Sequence, residues 1–302
     1  MKVIVTGATG LVGRALVRSL LSDGHSVTRL VRGEAQAFHA PGTSAVHWQP
    51  EKGIVEAKAL EGHAAVNLAG EPIAEGRWTD EKKRRILESR VKGTHLLAET
   101  LAGLKEKPSV LVNASAIGFY GDRGDEVLRE ESASGEDFLS EVCREWEKAT
   151  LAASQAGIRV VHLRIGVVLS REGGALTKML TPFKLGVGGR VGSGRQYMSW
   201  IALDDLVNII RRALTDEHLR GPVNAVAPTP VTNEEFTKTL GRVLGRPTIF
   251  PMPAFAARLA LGELADALML SSTRVEPSRL KEAGFEFAHT ELEGALRSVL
   301  GK

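Results

Sequence analysis

The first thirteen residues constrain this chain more than any other stretch. Lys2–Thr6 (KVIVT) is a β-branched run that reads as a strand, and Leu11–Ser22 carries apolar residues at helical spacing. The joint between them is Gly7-Ala8-Thr9-Gly10, and a third glycine, Gly13, follows Leu11 and Val12. Gly7 can turn the chain tightly, Gly10 lets its backbone approach a ligand, and Gly13 lets the helix press against the strand. The first turn of a helix also presents unpaired N–H groups and partial positive charge. A strand, a glycine turn and a helix in that order therefore form a cradle for a diphosphate.

The rest of the chain repeats the alternation. Ser26–Val31 (SVTRLV) reads as a second strand. Ala64–Leu68 precedes a long helix from about Thr79 to Leu104, and Ser109–Ala114 precedes one from about Asp137 to Ala156. Arg159–Arg164 is followed by a helix near Gly174–Lys184. Strands separated by helices imply crossover connections and a parallel sheet covered on both faces, a doubly wound Rossmann-type α/β fold. From Gly186 the texture changes: five glycines crowd Gly186–Gly194, and Pro222, Pro228, Pro230, Pro247, Pro251 and Pro253 punctuate shorter elements. This predicts a nucleotide-binding domain over 1–185 and a smaller lobe over 186–302 that folds back onto the carboxyl ends of the strands. The boundary is soft, because later segments can rejoin the sheet.

Composition narrows the function. The net charge is only +3 and the basic residues are dispersed. The densest run, Lys82-Lys83-Arg84-Arg85, is bracketed by Asp80, Glu81 and Glu88 and reads as a solvated helix face. Neither nucleic acid nor membrane is expected as a partner. A single cysteine, Cys143, and scattered histidines leave no disulfide and no metal site to expect. No charged and apolar leader and no apolar run of ~20 residues is visible, so the expected location is the cytoplasm. A small-molecule substrate is the expected partner, with a homodimer left open.

The end of the second strand bears on the cofactor. A carboxylate there would accept a bond from a ribose 2′-hydroxyl. This strand instead ends Leu30-Val31-Arg32-Gly33, and the guanidinium of Arg32 offers a planar fork to a 2′-phosphate. NADP is therefore expected rather than NAD.

Several later segments, with that opening turn, resemble the extended short-chain dehydrogenase/reductases, the NAD(P)-dependent epimerases and dehydratases. They are Asn67-Leu68-Ala69-Gly70, the run Val91–Leu97 (VKGTHLL), Ser115–Gly121 (SAIGFYG) and Arg195–Leu206 (RQYMSWIALDDL). Glu71–Trp78, Gly173–Trp200 and Phe250–Phe287 look similar to one subfamily, putative epimerases with a C-terminal domain of unknown function, also called cell-division-inhibitor-like proteins. The subfamily's own domain would lie at about 250–302. The resemblance implies cofactor contacts at Gly7, Thr9, Gly10, Leu11, Val12, Gly13, Arg32, Asn67, Ala69 and Gly70. It implies Ser115 and Tyr120 as catalytic groups, while Arg90, Arg164 and Arg195 could pair a phosphate or carboxylate of the substrate.

One departure cuts against standard chemistry. The superfamily uses Tyr-x3-Lys, in which the lysine lowers the tyrosine's pKa. This chain has two tyrosines, with Gly124 four residues after Tyr120 and Ile201 four after Tyr197. The helix that should carry the pair puts Leu139 and Cys143 in those places, and Arg90 replaces the family's asparagine in N-V-x-G-T. Two expectations follow. The leading one is an NADP-dependent oxidoreductase or epimerase acting on a small polar substrate, such as a sugar nucleotide, with an altered acid–base set. The alternative is a non-catalytic NADP(H)-binding module acting through a protein partner.

Overall fold

The computed structural model describes residues 1–32, 42–60 and 63–302. The amino-terminal part runs β1 (Lys2–Thr6), α1 (Leu11–Ser22), β2 (Ser26–Val31), β3 (Thr43–Gln49), β4 (Ile54–Val55), β5 (Ala64–Asn67) and α2 (Asp80–Gly103). The middle continues with β6 (Val110–Ala116), β7 (Val127–Leu128), α3 (Phe138–Lys148), α4 (Leu151–Gln155), β8 (Arg159–Ile165), β9 (Val167–Leu169) and α5 (Gly174–Lys184). Then come β10 (Tyr197–Met198), β11 (Trp200–Ala202), α6 (Leu203–Thr215), β12 (Gly221–Ala225), β13 (Val231–Thr232) and α7 (Asn233–Leu244). The last part holds α8 (Ala254–Leu261), α9 (Glu263–Ala265), β14 (Arg274–Val275), α10 (Ser278–Glu282) and α11 (Leu292–Leu300).

One sheet orders the strands β12-β8-β6-β5-β1-β2-β3-β4. All of its pairings are parallel except β3 with β4. Both faces are covered, so the central strands are apolar along their length: Val3, Ile4 and Val5 are all fully buried. One face packs on α1 and α6 through Leu16, Leu20, Leu206 and Ile210, and the other on α2 through Leu97, Ala98 and Leu101. Chain order reverses between β1 and β5, which opens a crevice at their carboxyl ends.

The helix ends follow local chemistry. Thr79 caps α2 by accepting the Lys82 N–H at 3.2 Å, and Asp137 caps α3 by accepting that of Ser140 at 2.8 Å. The single helix expected from Asp137 to Ala156 is two, α3 and α4. At the break, the Thr150 hydroxyl donates to the Glu147 carbonyl at 2.8 Å, and such back-bonding favours a bend.

The expected boundary at 185 is crossed. β12 pairs with β8 in the main sheet, and α6 belongs to its core. Before these returns α5, and after them α7 and α11, enclose a second core around Trp200, Phe236 and Leu240. The chain thus passes from one lobe to the other and back. No helix among the described residues is long and apolar enough to cross a membrane.

Candidate functional site

The glycine turn lies at the β1–β5 reversal. Gly7 has φ +64°, and a Cβ there would stand 2.6 Å from the Leu68 carbonyl oxygen. Only glycine satisfies both constraints. A Cβ on Gly13 would lie 2.2 Å from the Gly7 oxygen, so this residue sets how closely α1 approaches the turn. Gly10 caps α1 with an ordinary φ of −72°, without a side-chain cap and without an acidic residue in the first turn. The helix start therefore presents N–H groups with no carboxylate beside them, as a diphosphate requires. Thr9 and Gly10 are exposed. The Thr9 carbonyl accepts from Arg14 at 3.1 Å. Leu11 reaches the Gly173–Gly174 entrance of α5, and Val12 packs against the core.

The opposite wall is the Leu68–Gly70 turn after β5. Thr6 ties the walls together: its hydroxyl accepts the N–H groups of Leu68 and Ala69 at 3.0 and 3.1 Å and donates to Asn67 Oδ1 at 2.6 Å. Asn67 Nδ2 donates to Thr94 Oγ1 and Asn113 Oδ1, both at 2.7 Å, and Trp146 Nε1 donates to the same threonine at 2.9 Å. Asn67 is 1% exposed, so its side chain serves this buried network and offers nothing to an adenine ribose. That corrects its expected role; it orients the Thr6 hydroxyl that holds Leu68 and Ala69 in place. Thr6 and Thr94 carry no sequence signal beyond their neighbours and were not expected to matter.

Arg32 is exposed at the end of β2. Its charge reaches Glu71, whose carboxyl is held below the usual range by the bond from Lys82, with further help from Arg85 and Arg32. Lys82 itself is buried, with its ammonium 2.7 Å from Glu71. Arg90, expected at the substrate, lies against the nucleotide wall instead. Its Nη1 donates to the carbonyls of Glu71 and Ile86 at 3.0 and 3.1 Å, its plane covers Trp146 at 5.0 Å, and a Cβ on Gly70 would stand 3.0 Å from its central carbon.

Three expected site residues are consumed by one buried ion pair. Arg164, on β8, is 4% exposed; its Nε and Nη2 bind the two oxygens of Glu147 at 2.9 and 3.0 Å. Its Nη1 donates to the Tyr120 hydroxyl at 3.0 Å and to the Glu130 carbonyl at 3.1 Å, and its plane stacks 3.4 Å over Phe119. Tyr120 is fully buried, donates to Asn224 Oδ1 at 2.7 Å, and its pKa is raised by that burial. Ser115 is 2% exposed and donates to Glu147 Oε1 at 2.7 Å. The structure therefore removes Arg164 as a substrate ligand, Tyr120 as an acid or base, and Ser115 as a proton donor. Sequence reading missed Glu147 as the shared partner of Ser115 and Arg164, because a glutamate on a helix looks solvated until β8 brings an arginine beneath it.

The α3 face against the end of β6 is apolar. Leu139 Cβ is 3.2 Å from where a Gly118 Cβ would lie, and Cys143 Sγ sits 3.6 Å from the Ala116 carbonyl. Burial pushes the Cys143 thiol up to about 11, so it is no nucleophile at neutral pH. Phe138 packs edge-on against Trp78 at 5.3 Å. Of the three arginines expected at the substrate, Arg195 alone is exposed, with no side-chain partner among the described residues. Asp204 and Asp205 stand in the first turn of α6. Asp205, fully buried, accepts the N–H groups of Ala288 and His289 at 2.8 and 3.0 Å and latches the carboxyl-terminal segment to α6.

The chain is similar to known proteins over nearly its whole length. A family model described as the NAD dependent epimerase/dehydratase family matches residues 3–225, and a domain of unknown function (DUF1731) matches 252–299. An epimerase family protein of Mycobacterium bovis is 44% identical over 296 residues, covering 97% of this chain and 96% of that one. The epimerase family protein YfhF of Bacillus subtilis is 38% identical, covering 99% and 98%. The crystal structure of human epimerase family protein SDR39U1 (isoform 2) with NADPH superposes with a TM-score of 0.88 at 34% identity, covering 100% of both chains.

Proposed function

This chain belongs to the NAD dependent epimerase/dehydratase family, and we propose that it binds NADP(H) in the β1–β5 crevice and performs hydride chemistry on a small polar substrate without the usual tyrosine–lysine pair. The observation that carries the reading is the uncapped, acid-free start of α1 behind two sterically required glycines, with Arg32 exposed at the end of β2. Those residues fit the group. The N–H groups from Leu11 onward would hold the diphosphate, Arg32 the 2′-phosphate, and the Ala69–Gly70 wall with Arg90 the adenosine side. A relative that aligns over the whole of both chains and was crystallised with NADPH supports the choice of phosphorylated cofactor.

When bound, the nicotinamide would supply or accept a hydride. The chain's own contribution is to orient it and to exclude water with the apolar face of Leu139 and Cys143. Ser115 can only accept a hydrogen bond from the substrate, since its proton is held by Glu147. Arg195 is the group left to pair an anionic part of the substrate.

A second reading has its own support: with Ser115, Tyr120 and Arg164 all saturated inside the protein, NADP(H) could be held without turnover and sensed by a partner protein. One measurement tests the cofactor choice that both readings share, and a second separates them. In titration calorimetry, NADPH is expected to bind at least about tenfold more tightly than NADH, about 1.4 kcal/mol, and Arg32→Ala to abolish the difference. Equal affinities in the unmodified protein would remove Arg32 from the role. Absorbance at 340 nm with carbonyl and sugar-nucleotide panels is expected to reveal turnover that Arg195→Ala lowers with NADPH affinity unchanged; silence across the panels favours the module.

A further inference from the structure

Two adjoining segments of the second lobe expose more apolar surface than the rest of the chain. Gly189 lies against the Phe250 carbonyl, the Met252 N–H donates to the Arg190 carbonyl at 2.8 Å, and Val191 bridges Met252. The loop 185–192 and the run 249–259 therefore form one surface. On it Leu185, Val187, Ile249, Phe250, Phe255 and Leu259 are between 54% and 76% exposed. Single exposed apolar residues are ordinary, but six large ones on two touching segments are not. Within α8 only Ala257 is buried, although the helix is apolar nearly all round (AFAARLAL). A helix of that composition is normally covered.

The charges around it indicate what covers it. Residues 183–192 and 245–261 carry Lys184, Arg190, Arg246 and Arg258 and not one Asp or Glu. Arg258 is paired with Asp266 and Arg190 acts on Glu234, leaving Lys184 and Arg246 without a carboxylate among the described residues. A two-fold contact between copies would bring these like charges together, which disfavours self-association. Side chains exposed by more than half project outward, whereas the walls of a groove that takes a peptide helix are largely covered. A projecting apolar tip with a basic surround matches an anionic, deformable apolar surface.

We propose that this face docks reversibly on an anionic lipid bilayer, with Phe250, Phe255 and Leu259 entering the headgroup boundary and Lys184 and Arg246 pairing with lipid phosphates or carboxylates. Residue order hides this face, since Lys184 and Arg246 lie some sixty residues apart until the fold joins their segments.

The test is co-sedimentation of the full chain with vesicles of about 30% phosphatidylserine in phosphatidylcholine, against phosphatidylcholine alone. Binding to the anionic vesicles is expected to be at least about tenfold stronger, and to fall as salt rises from about 0.1 to 0.5 M. The double variant Phe255→Ser/Leu259→Ser is expected to lose about tenfold or more. Lys184→Glu/Arg246→Glu, which leaves the apolar tip intact, is expected to remove the lipid-charge preference, with NADPH affinity unchanged in both variants. No sedimentation with anionic vesicles, or equal binding to neutral ones, overturns the proposal. So does a dimer in light scattering that the Phe255→Ser/Leu259→Ser variant dissociates, because a second copy would then be the occupant.

Discussion

Single residues here are decided by what lies behind them. Arg164 and Arg195 have the same fork of donors, yet one is locked between Glu147, Tyr120 and Phe119 while the other stands in solvent. Burial also sets the state of Glu130. Its Oε1 accepts the N–H groups of Asn224 and Arg279 at 3.1 and 3.2 Å, but Oε2 is buried without a partner in the described structure. Desolvation raises its pKa above the ordinary 4.5. A carboxyl raised on folding favours the native state when protonated, and that contribution is lost as pH rises from 4.5 through the folded value. Glu130→Gln keeps the acceptor and removes the charge. Its melting temperature is expected to exceed that of the unmodified protein by a few degrees at pH 8, with the gap closing toward pH 4. A gap independent of pH would show that the charge of Glu130 is not what costs stability.

At the scale of elements, the β1–turn–α1 unit separates folding from binding. Gly10 has an ordinary φ, and its added Cβ would meet only the Gly7 oxygen, at 3.3 Å. Gly10→Ala is expected to change stability by less than about 0.5 kcal/mol but to weaken NADPH binding at least about tenfold, because the methyl group occupies the path of the diphosphate. Gly13→Ala is expected to lose both, since α1 must move off the turn at a cost of roughly 1–3 kcal/mol. Thermal melts paired with calorimetry would show this split, and equal effects of the two substitutions would contradict it. The α3–β8 contact behaves differently. Truncating Glu147 strands a buried guanidinium, and Glu147→Ala is expected to cost roughly 3–5 kcal/mol in chemical denaturation. A loss below about 1 kcal/mol would mean that Arg164 finds another partner.

For the whole molecule, the two lobes are held by returns of the chain rather than by one linker. After α6 and β12 rejoin the sheet, the chain ends in α11 on the second core, held near its start by Asp205. Asp205→Ala leaves two N–H groups without their acceptor, a loss of roughly 2 kcal/mol. Amide hydrogen exchange is expected to quicken across 288–300 while β1, β5 and β6 stay protected. Uniform acceleration instead would show that latch and sheet open as one cooperative unit.

Much of this architecture was legible in residue order alone. β1, α1, β2 and α5 fall where apolar spacing and glycine placement put them, because strand and helix periods and the steric needs of a tight turn act over a few neighbours. The exposed place of Arg32 was readable for the same reason, since it follows from the end of one strand. The chemistry beyond the nucleotide was not legible. Whether Ser115, Tyr120 and Arg164 face a substrate or one another depends on β6, β8 and α3 meeting, and whether Asn67 faces ribose or Thr94 depends on α2. Burial and pairing are properties of contacts between residues distant in sequence. Local periodicity therefore determined which elements form and where a diphosphate can sit, while tertiary contact alone decided which polar groups remain available to react.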